Sequence, residues 1–205
     1  MTNVTRLVLA AAVLGLVGIG SGRARAAIVL TMTQSGSDVV MSGGGTANLA
    51  SFVFSFNISQ KALIVPDARG IVTGPTGVVS TTVHDYISGP ATFGTGGLSL
   101  ATSGTGDRFG ISPLSSDFGL VTPFGYVSGS PLSATTTFAN QTFDSLGVTP
   151  GSYVWTWGSG ADADSLTLNI VSAAVPEPSS LAMAGVAGLV ALGLASRRHL
   201  AIPAA

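Results

Sequence analysis

Cysteine is absent from this chain of 205 residues, and charged residues make up only 8% of it. An average soluble protein carries about 25% charged residues. Without cysteine the chain can form no disulfide, no thiolate nucleophile and no zinc–thiolate site. The sequence therefore excludes a disulfide-stapled fold and a cysteine-dependent enzyme.

Basic charge is scarce in the middle of the chain. Residues 27–174 contain three basic residues, Lys61, Arg69 and Arg108, against eight aspartates, and the single glutamate of the chain lies further on, at Glu177. Nucleic-acid binding depends on lysine and arginine to neutralise phosphates. We therefore expect no nucleic acid among the partners of this protein.

Long apolar runs occur near the two ends only, and the first has the pattern of a secretory signal. Arg6 precedes an apolar run from Leu7 to Gly20, and Ala24-Arg25-Ala26 follows with small residues at the positions that signal peptidase reads. The run is shorter than the ~20 residues of a membrane-spanning helix. We expect residues 1–26 to be a signal peptide that signal peptidase removes, so that the mature protein is exported.

The central segment, residues 27–174, has the pattern of many short strands separated by turns. Expected strands lie at 28–33, 51–56, 77–83, 134–138, 152–157 and 165–171, and expected turns at 42–45, 73–77, 103–107, 127–130, 149–151 and 158–162. Leu166, Leu168 and Ile170 alternate with polar residues, the period of a half-buried strand. The segment predicts one all-β domain, an antiparallel β-sandwich or jelly roll.

The last two expected strands form a predicted hairpin with an aromatic face. Tyr153, Trp155 and Trp157 alternate along the first strand and should therefore share one face. Such a face is either part of the core or a platform on which sugar rings stack. Both interpretations stay open at this point.

Residues able to carry out chemistry are few. His84 precedes Asp85 and Tyr86, but no serine lies in a G-x-S-x-G elbow. Asp162 and Asp164 resemble paired calcium ligands, yet a calcium loop needs more oxygen ligands at fixed spacing. We expect no metal, no cofactor and no enzymatic activity.

The C-terminal segment combines an extended element, an apolar run and basic residues. Pro176 and Pro178 favour an extended backbone around Glu177. The run from Leu181 to Ala195 carries no charge and is only just long enough to span a membrane. Arg197-Arg198 follow as a basic stop, which the positive-inside rule places in the cytoplasm.

In this order, these features closely resemble the PEP-CTERM sorting signal of Gram-negative bacteria, which would occupy residues 175–200 with a transmembrane helix. The central stretches 36–49, 125–133 and 142–170 are also similar to sequences that recur in PEP-CTERM proteins. The resemblance implies recognition of Pro176-Glu177-Pro178 by an exosortase, a membrane-embedded protease or transpeptidase, in bacteria that make exopolysaccharide. This protein would then be its substrate.

Three functions are compatible with the sequence. The first is a non-enzymatic structural or adhesive protein of the cell surface or the exopolysaccharide biofilm matrix, reached through an intermediate anchored in the inner membrane and facing the periplasm. The second is a carbohydrate-binding module that uses Tyr153, Trp155 and Trp157. The third is a surface hydrolase built around His84.

Overall fold

The computed structural model of the chain describes residues 27–113 and 119–172. These residues form two β-sheets and one short helix. The strands in chain order are β1 Ala27–Ser35, β2 Asp38–Gly45, β3 Ser55–Gln60, β4 Leu63–Val65, β5 Gly70–Val72, β6 Val79–Asp85, β7 Ser99–Leu100, β8 Ser103–Gly106, β9 Gly110–Ser112, β10 Gly119–Pro123, β11 Leu132–Phe138, β12 Gly151–Trp157 and β13 Asp164–Val171. The helix is α1, Phe143–Leu146.

The two sheets have different strand orders. The first sheet has six strands in the order β12-β13-β1-β2-β11-β8, and the second has seven in the order β3-β6-β10-β9-β5-β4-β7. The expected all-β, sandwich-like fold is confirmed. The expected boundaries of the signal peptide, at 1–26, and of the sorting signal, at 175–200, lie outside the described residues.

One strand pair departs from the antiparallel arrangement that the sequence predicts. β1 and β13 run parallel, from Ala27 beside Ser165 to Thr33 beside Val171. Every other pair of neighbouring strands in the described residues is antiparallel. Because the two strands are parallel, Ala27 and Val171 lie at opposite ends of the pair. At 3.3 Å per residue these ends are roughly 20 Å apart.

The main core lies between the two sheets and is built from alternating residues. In β13, Leu166, Leu168 and Ile170 are buried while the residues between them are partly exposed. Leu120 of β10 and Ile111 of β9 belong to the same cluster on the side of the second sheet. The period-two pattern of the sequence therefore predicted the buried face of β13 correctly.

A smaller cluster lies on the opposite face of the second sheet. Its buried members are Leu63, Val72, Val83 and Val121. Val121 directly follows Leu120, which belongs to the main core, and successive residues of a strand point to opposite faces. The second sheet is therefore apolar on both faces.

Two expected turns are strands in the structure, and one expected strand is mostly loop. Residues 42–45, a serine and three glycines, end β2, and residues 103–106 form β8. Of the segment 51–56, only Ser55 and Phe56 belong to a strand, and Val53 is 98% exposed. Glycine was misread as a turn signal where it serves the close approach of neighbouring strands.

Gly44 shows this close approach most clearly. A Cβ atom at Gly44 would lie 2.2 Å from the carbonyl oxygen of Leu132 in the neighbouring strand β11. This distance is far below a van der Waals contact, and the atom in the way belongs to the backbone. A side chain is therefore excluded at this position, because the backbone of the paired strand β11 occupies the space that its Cβ atom would need.

We expect Gly44→Ala to destabilise the domain by about 1–3 kcal/mol, the usual cost of overpacking a tight site. Gly97→Ala is the matched control, since a Cβ atom there meets nothing within 4 Å; it should change stability by less than about 0.5 kcal/mol. Urea unfolding of the two variants measures the difference. Equal stability of the two variants would show that β2 and β11 can separate without cost.

Candidate functional site

The aromatic face of β12 is the first candidate site, and it is buried. Tyr153, Trp155 and Trp157 lie on one face of the strand, as their alternation predicts. Trp155 is fully buried and Trp157 is 4% exposed, while Tyr153 is partly buried. The face points toward the interior between the two sheets and belongs to the core.

The indole nitrogens of this face are bonded within the domain. Nε1 of Trp155 donates to the carbonyl of Pro90 at 3.2 Å, and Nε1 of Trp157 donates to the carbonyl of Asn48 at 2.8 Å. Phe93 packs edge-on against Trp155 with ring centroids 6.4 Å apart. The two indoles therefore offer no free ring face to a sugar, and this removes the exposed platform that the carbohydrate-binding hypothesis needs.

The two aspartates of the β12–β13 connection have different environments. Asp162 is exposed, whereas Asp164 is the first residue of β13 and is 5% exposed. The Asp164 carboxylate accepts hydrogen bonds from the backbone N–H groups of Asn48 and Ser165, both at 2.6 Å. Burial raises the pKa of Asp164, and these two hydrogen bonds act in the opposite direction.

The aspartates tie the hairpin connection to the loop that follows β2. The side-chain amide of Asn48 donates to Asp162 at 3.3 Å, in addition to the backbone contact with Asp164. Within the described residues, no group of three or more His, Asp or Glu side chains could hold a metal ion. The observed contacts of this pair serve to fix the loop.

His84 is the third candidate and lies at the border of the core. Its Nδ1 is 2.8 Å from the hydroxyl of Ser55 on β3, and its Nε2 is 3.0 Å from the hydroxyl of Thr122 on β10. The ring of Phe52 packs against it with centroids 5.1 Å apart. Cross-strand pairing brings these residues together, because Ser55 is the direct partner of His84 in the β3–β6 ladder.

The surroundings of His84 disfavour its protonated form. Burial lowers the pKa of His84, and the charge of Asp85 raises it only in part. A serine next to a histidine can act as a nucleophile with its base. In a catalytic triad a carboxylate also orients the histidine and stabilises its protonated form. Here the second nitrogen faces the neutral hydroxyl of Thr122.

A cleft of about 410 Å³ lies beside this group. Its walls include Phe52, Asp85 and Tyr86 on one side and Gly158 and Asp162 on the other. Tyr86 is 67% exposed and adopts a positive φ of 73°, in the left-handed region. His84 and Ser55 do not line this cleft, so the serine–histidine pair and the cavity are separate features.

Arg108 is a buried cation that the sequence did not single out. It is 2% exposed, and its guanidinium donates to the backbone carbonyls of Gln60, Pro75 and Gly77. Carbonyl oxygens accept from its two terminal nitrogens in place of a carboxylate, while its buried Nε has no hydrogen-bond partner among the described residues. The residue holds the 73–77 turn against β3, a role that only the folded chain reveals.

The residues of the sorting signal, Pro176-Glu177-Pro178 and Arg197-Arg198, lie outside the described residues. The same holds for the expected transmembrane run from Leu181 to Ala195. None of the helices in the described part is long and apolar enough to cross a membrane.

Comparison with known families assigns this C-terminal segment. Residues 174–198 match the family model of the PEP-CTERM protein-sorting motif. The chain is thus a β-sandwich domain that carries a PEP-CTERM protein-sorting motif at its C-terminus, which confirms the resemblance found in the sequence. The motif implies an exported protein that an exosortase sorts and processes.

No curated protein and no solved structure matches the chain. The match to the sorting motif covers the C-terminal segment alone. The role of the β-sandwich must therefore be argued from its own residues.

We expect the stability of the domain to fall in mildly acidic solution because of His84. An unfolded histidine has a pKa of about 6.5, and the folded state holds the pKa of His84 lower. The unfolded chain therefore takes up the proton first as the pH falls. Stability is complete above about pH 6.5 and is lost as the pH falls through 6.5 toward the folded pKa, by at most about 1.4 kcal/mol per pH unit.

Urea unfolding between pH 7.5 and 5.5 measures this loss, and His84→Gln is the variant that removes it. The other histidine of the chain, His199, lies in the C-terminal segment, so His199→Gln is the matched control and should keep the full pH dependence. If His84→Gln showed the same slope as the unmodified protein, the shifted titration would not belong to His84.

Proposed function

We propose that the exported domain is a non-enzymatic structural or adhesive component of the cell surface or of an exopolysaccharide biofilm matrix. The observation that carries the proposal is the sorting motif at residues 174–198, which closely follows the last strand of the domain at Val171. A domain joined to such a motif is delivered to the outside of the cell. Its work is done there, next to other surface polymers.

The route to the surface follows from the two ends of the chain. Signal peptidase removes residues 1–26, and the apolar run from Leu181 to Ala195 then holds the protein in the inner membrane. Arg197 and Arg198 remain in the cytoplasm, so the β-sandwich faces the periplasm. An exosortase recognises Pro176-Glu177-Pro178 in this anchored intermediate and sends the protein onward.

The chemistry of the domain supports a role without catalysis. The most conspicuous aromatic residues, Trp155 and Trp157, are core residues. His84 has both ring nitrogens engaged with hydroxyl groups. The described residues contain no cluster able to bind a metal.

A surface hydrolase is the second candidate, and a specific contact favours it. Ser55 is exposed, and its hydroxyl lies 2.8 Å from Nδ1 of His84, which is the distance of a serine nucleophile from its base. Against it stands the neutral Thr122 in the place where a carboxylate normally orients the base. We therefore rank this function below the structural one.

Replacing Pro176, Glu177 and Pro178 together by alanine should strand the protein in the inner membrane of a host that has an exosortase. The extended recognition element is lost while the apolar anchor remains. Fractionation followed by immunoblotting measures the retained full-length protein. A variant with His199 and Leu200 changed to alanine, just beyond the matched residues, is the control and should be processed normally; processing of the triple variant at the normal rate would contradict the proposed recognition element.

The absence of catalysis is tested with a fluorophosphonate probe, which labels activated serines. We expect no labelling of Ser55 in the mature protein at pH 7.5, because the His84 base lacks a charged orienting partner. Labelling that disappears in Ser55→Ala but persists in Ser59→Ala, an exposed serine four residues along the same strand, would establish the hydrolase instead.

A further inference from the structure

The edge of the second sheet carries two facing rows of neutral polar side chains. Asn57 and Ser59 of the end strand β3 pair directly with Thr82 and Ser80 of β6. The hydroxyl of Thr82 donates to Oδ1 of Asn57 at 2.9 Å. Asn57, Ser59 and Ser80 are exposed, so this part of the sheet extends beyond the core as a polar shelf.

Phe124 stands over this shelf. It follows β10 directly and is 64% exposed. Together with Asn57, Ile58, Ser59 and Ser80 it lines a groove of about 210 Å³, hereafter the Phe124 groove. This volume is below the roughly 300–1,000 Å³ of sites for drug-sized ligands, so the groove suits one ring-sized group.

The polar groups of the Phe124 groove have hydrogen-bonding capacity left. The hydroxyls of Ser59 and Ser80 are 3.4 Å apart, which is a long and weak contact. Each hydroxyl can donate one hydrogen bond and accept two. No described residue accepts a hydrogen bond from the amide nitrogen of Asn57, which is a further donor at the same surface.

The ligand class follows from what the groove offers and lacks. It presents an exposed aromatic face, an amide and two hydroxyls, and none of its lining residues is charged. An anionic or cationic ligand would lose its hydration without gaining a counter-charge. A neutral sugar matches this set, because its apolar ring face packs on an aromatic ring while its hydroxyls meet amide and hydroxyl partners.

The position at the end strand suits a polymer. β3 has a hydrogen-bonded neighbour on one side only, which leaves the groove open along the rim of the sheet. A long saccharide chain can therefore place one residue in the groove and continue past the domain on both sides. A closed pocket would accept only a chain end.

We propose that the Phe124 groove is a binding subsite for one residue of a neutral polysaccharide. This deepens the proposed matrix role and rests on it for the identity of the natural polymer. The site differs from the buried aromatic face of β12, which Trp155 and Trp157 form.

Affinity electrophoresis of the mature protein, purified from its host, tests the subsite. The gels contain dextran, mannan, galactan or xylan as neutral polymers, and alginate as an anionic one. We expect retardation by at least one neutral polymer and none by alginate. Phe124→Leu, which keeps apolar bulk without the ring, should weaken that binding roughly tenfold, and Phe124→Trp should retain it.

The controls separate this groove from other exposed rings and from misfolding. Tyr86→Ala removes an equally exposed ring at the cleft beside Asp162 and should leave polymer binding unchanged. An unchanged thermal unfolding midpoint shows that each variant is folded. Failure of all four neutral polymers to retard the protein, binding unaltered in Phe124→Leu, or loss of binding in Tyr86→Ala overturns the proposed subsite. Localisation in the host is measured in a separate experiment. A negative result for polymer binding would therefore contradict the subsite without contradicting the sorting result or the matrix role.

Discussion

The pairing of the first strand with the last is the constraint on which the rest of the domain depends. β1 lies between β2 and β13, and β13 in turn holds β12 in the sheet. β12 and β13 supply Trp155, Trp157, Leu166 and Leu168 to the core. Without the β1–β13 contact, one wall of the sandwich loses its aromatic and leucine residues together. The core is therefore complete only when both ends of the domain have met.

This constraint connects folding with export. A protein that crosses a membrane from its N-terminus delivers Asp164–Val171 last of all strands. Pairing of residues so distant along the chain requires the closure of a large loop, which makes such contacts slow to form. The sorting segment begins only a few residues later, at 174. The membrane anchor proposed for this segment would keep the newly delivered strand close to the membrane while the sheet is completed.

The sequence predicted the buried faces of β12 and β13 well and the partners of the strands poorly. Leu166, Leu168 and Ile170 predict a buried face because the period of a strand is two residues. Nothing in that pattern states which strand lies alongside, so the parallel contact of β1 with β13 could not be foreseen. The prediction of a turn at 42–45 was wrong for a related reason. Gly43, Gly44 and Gly45 allow the close approach of a neighbouring backbone, which exists only in the folded sheet.

The candidate sites show the same division. Alternation placed Tyr153, Trp155 and Trp157 on one face correctly, but only tertiary structure decides whether a face meets solvent or another sheet. The hydroxyl partners of His84 lie 29 and 38 positions away in sequence, beyond any local motif. The C-terminal sorting motif could be recognised from the sequence because its information is local: two prolines, an apolar run and two arginines follow one another within residues 174–198.

The scarcity of charge gives these observations a common physical meaning. Long-range attraction needs charged surfaces, and the domain between 27 and 174 carries only three basic residues against eight aspartates. Its exposed polar groups at the rim of the second sheet are hydroxyls and an amide, whose hydrogen bonds act only at contact distance. Such a surface gains little from ion pairing and loses little to salt. The neutral polysaccharide proposed as the partner of the Phe124 groove carries no charge either, so its binding there would depend on direct contact and not on electrostatic steering.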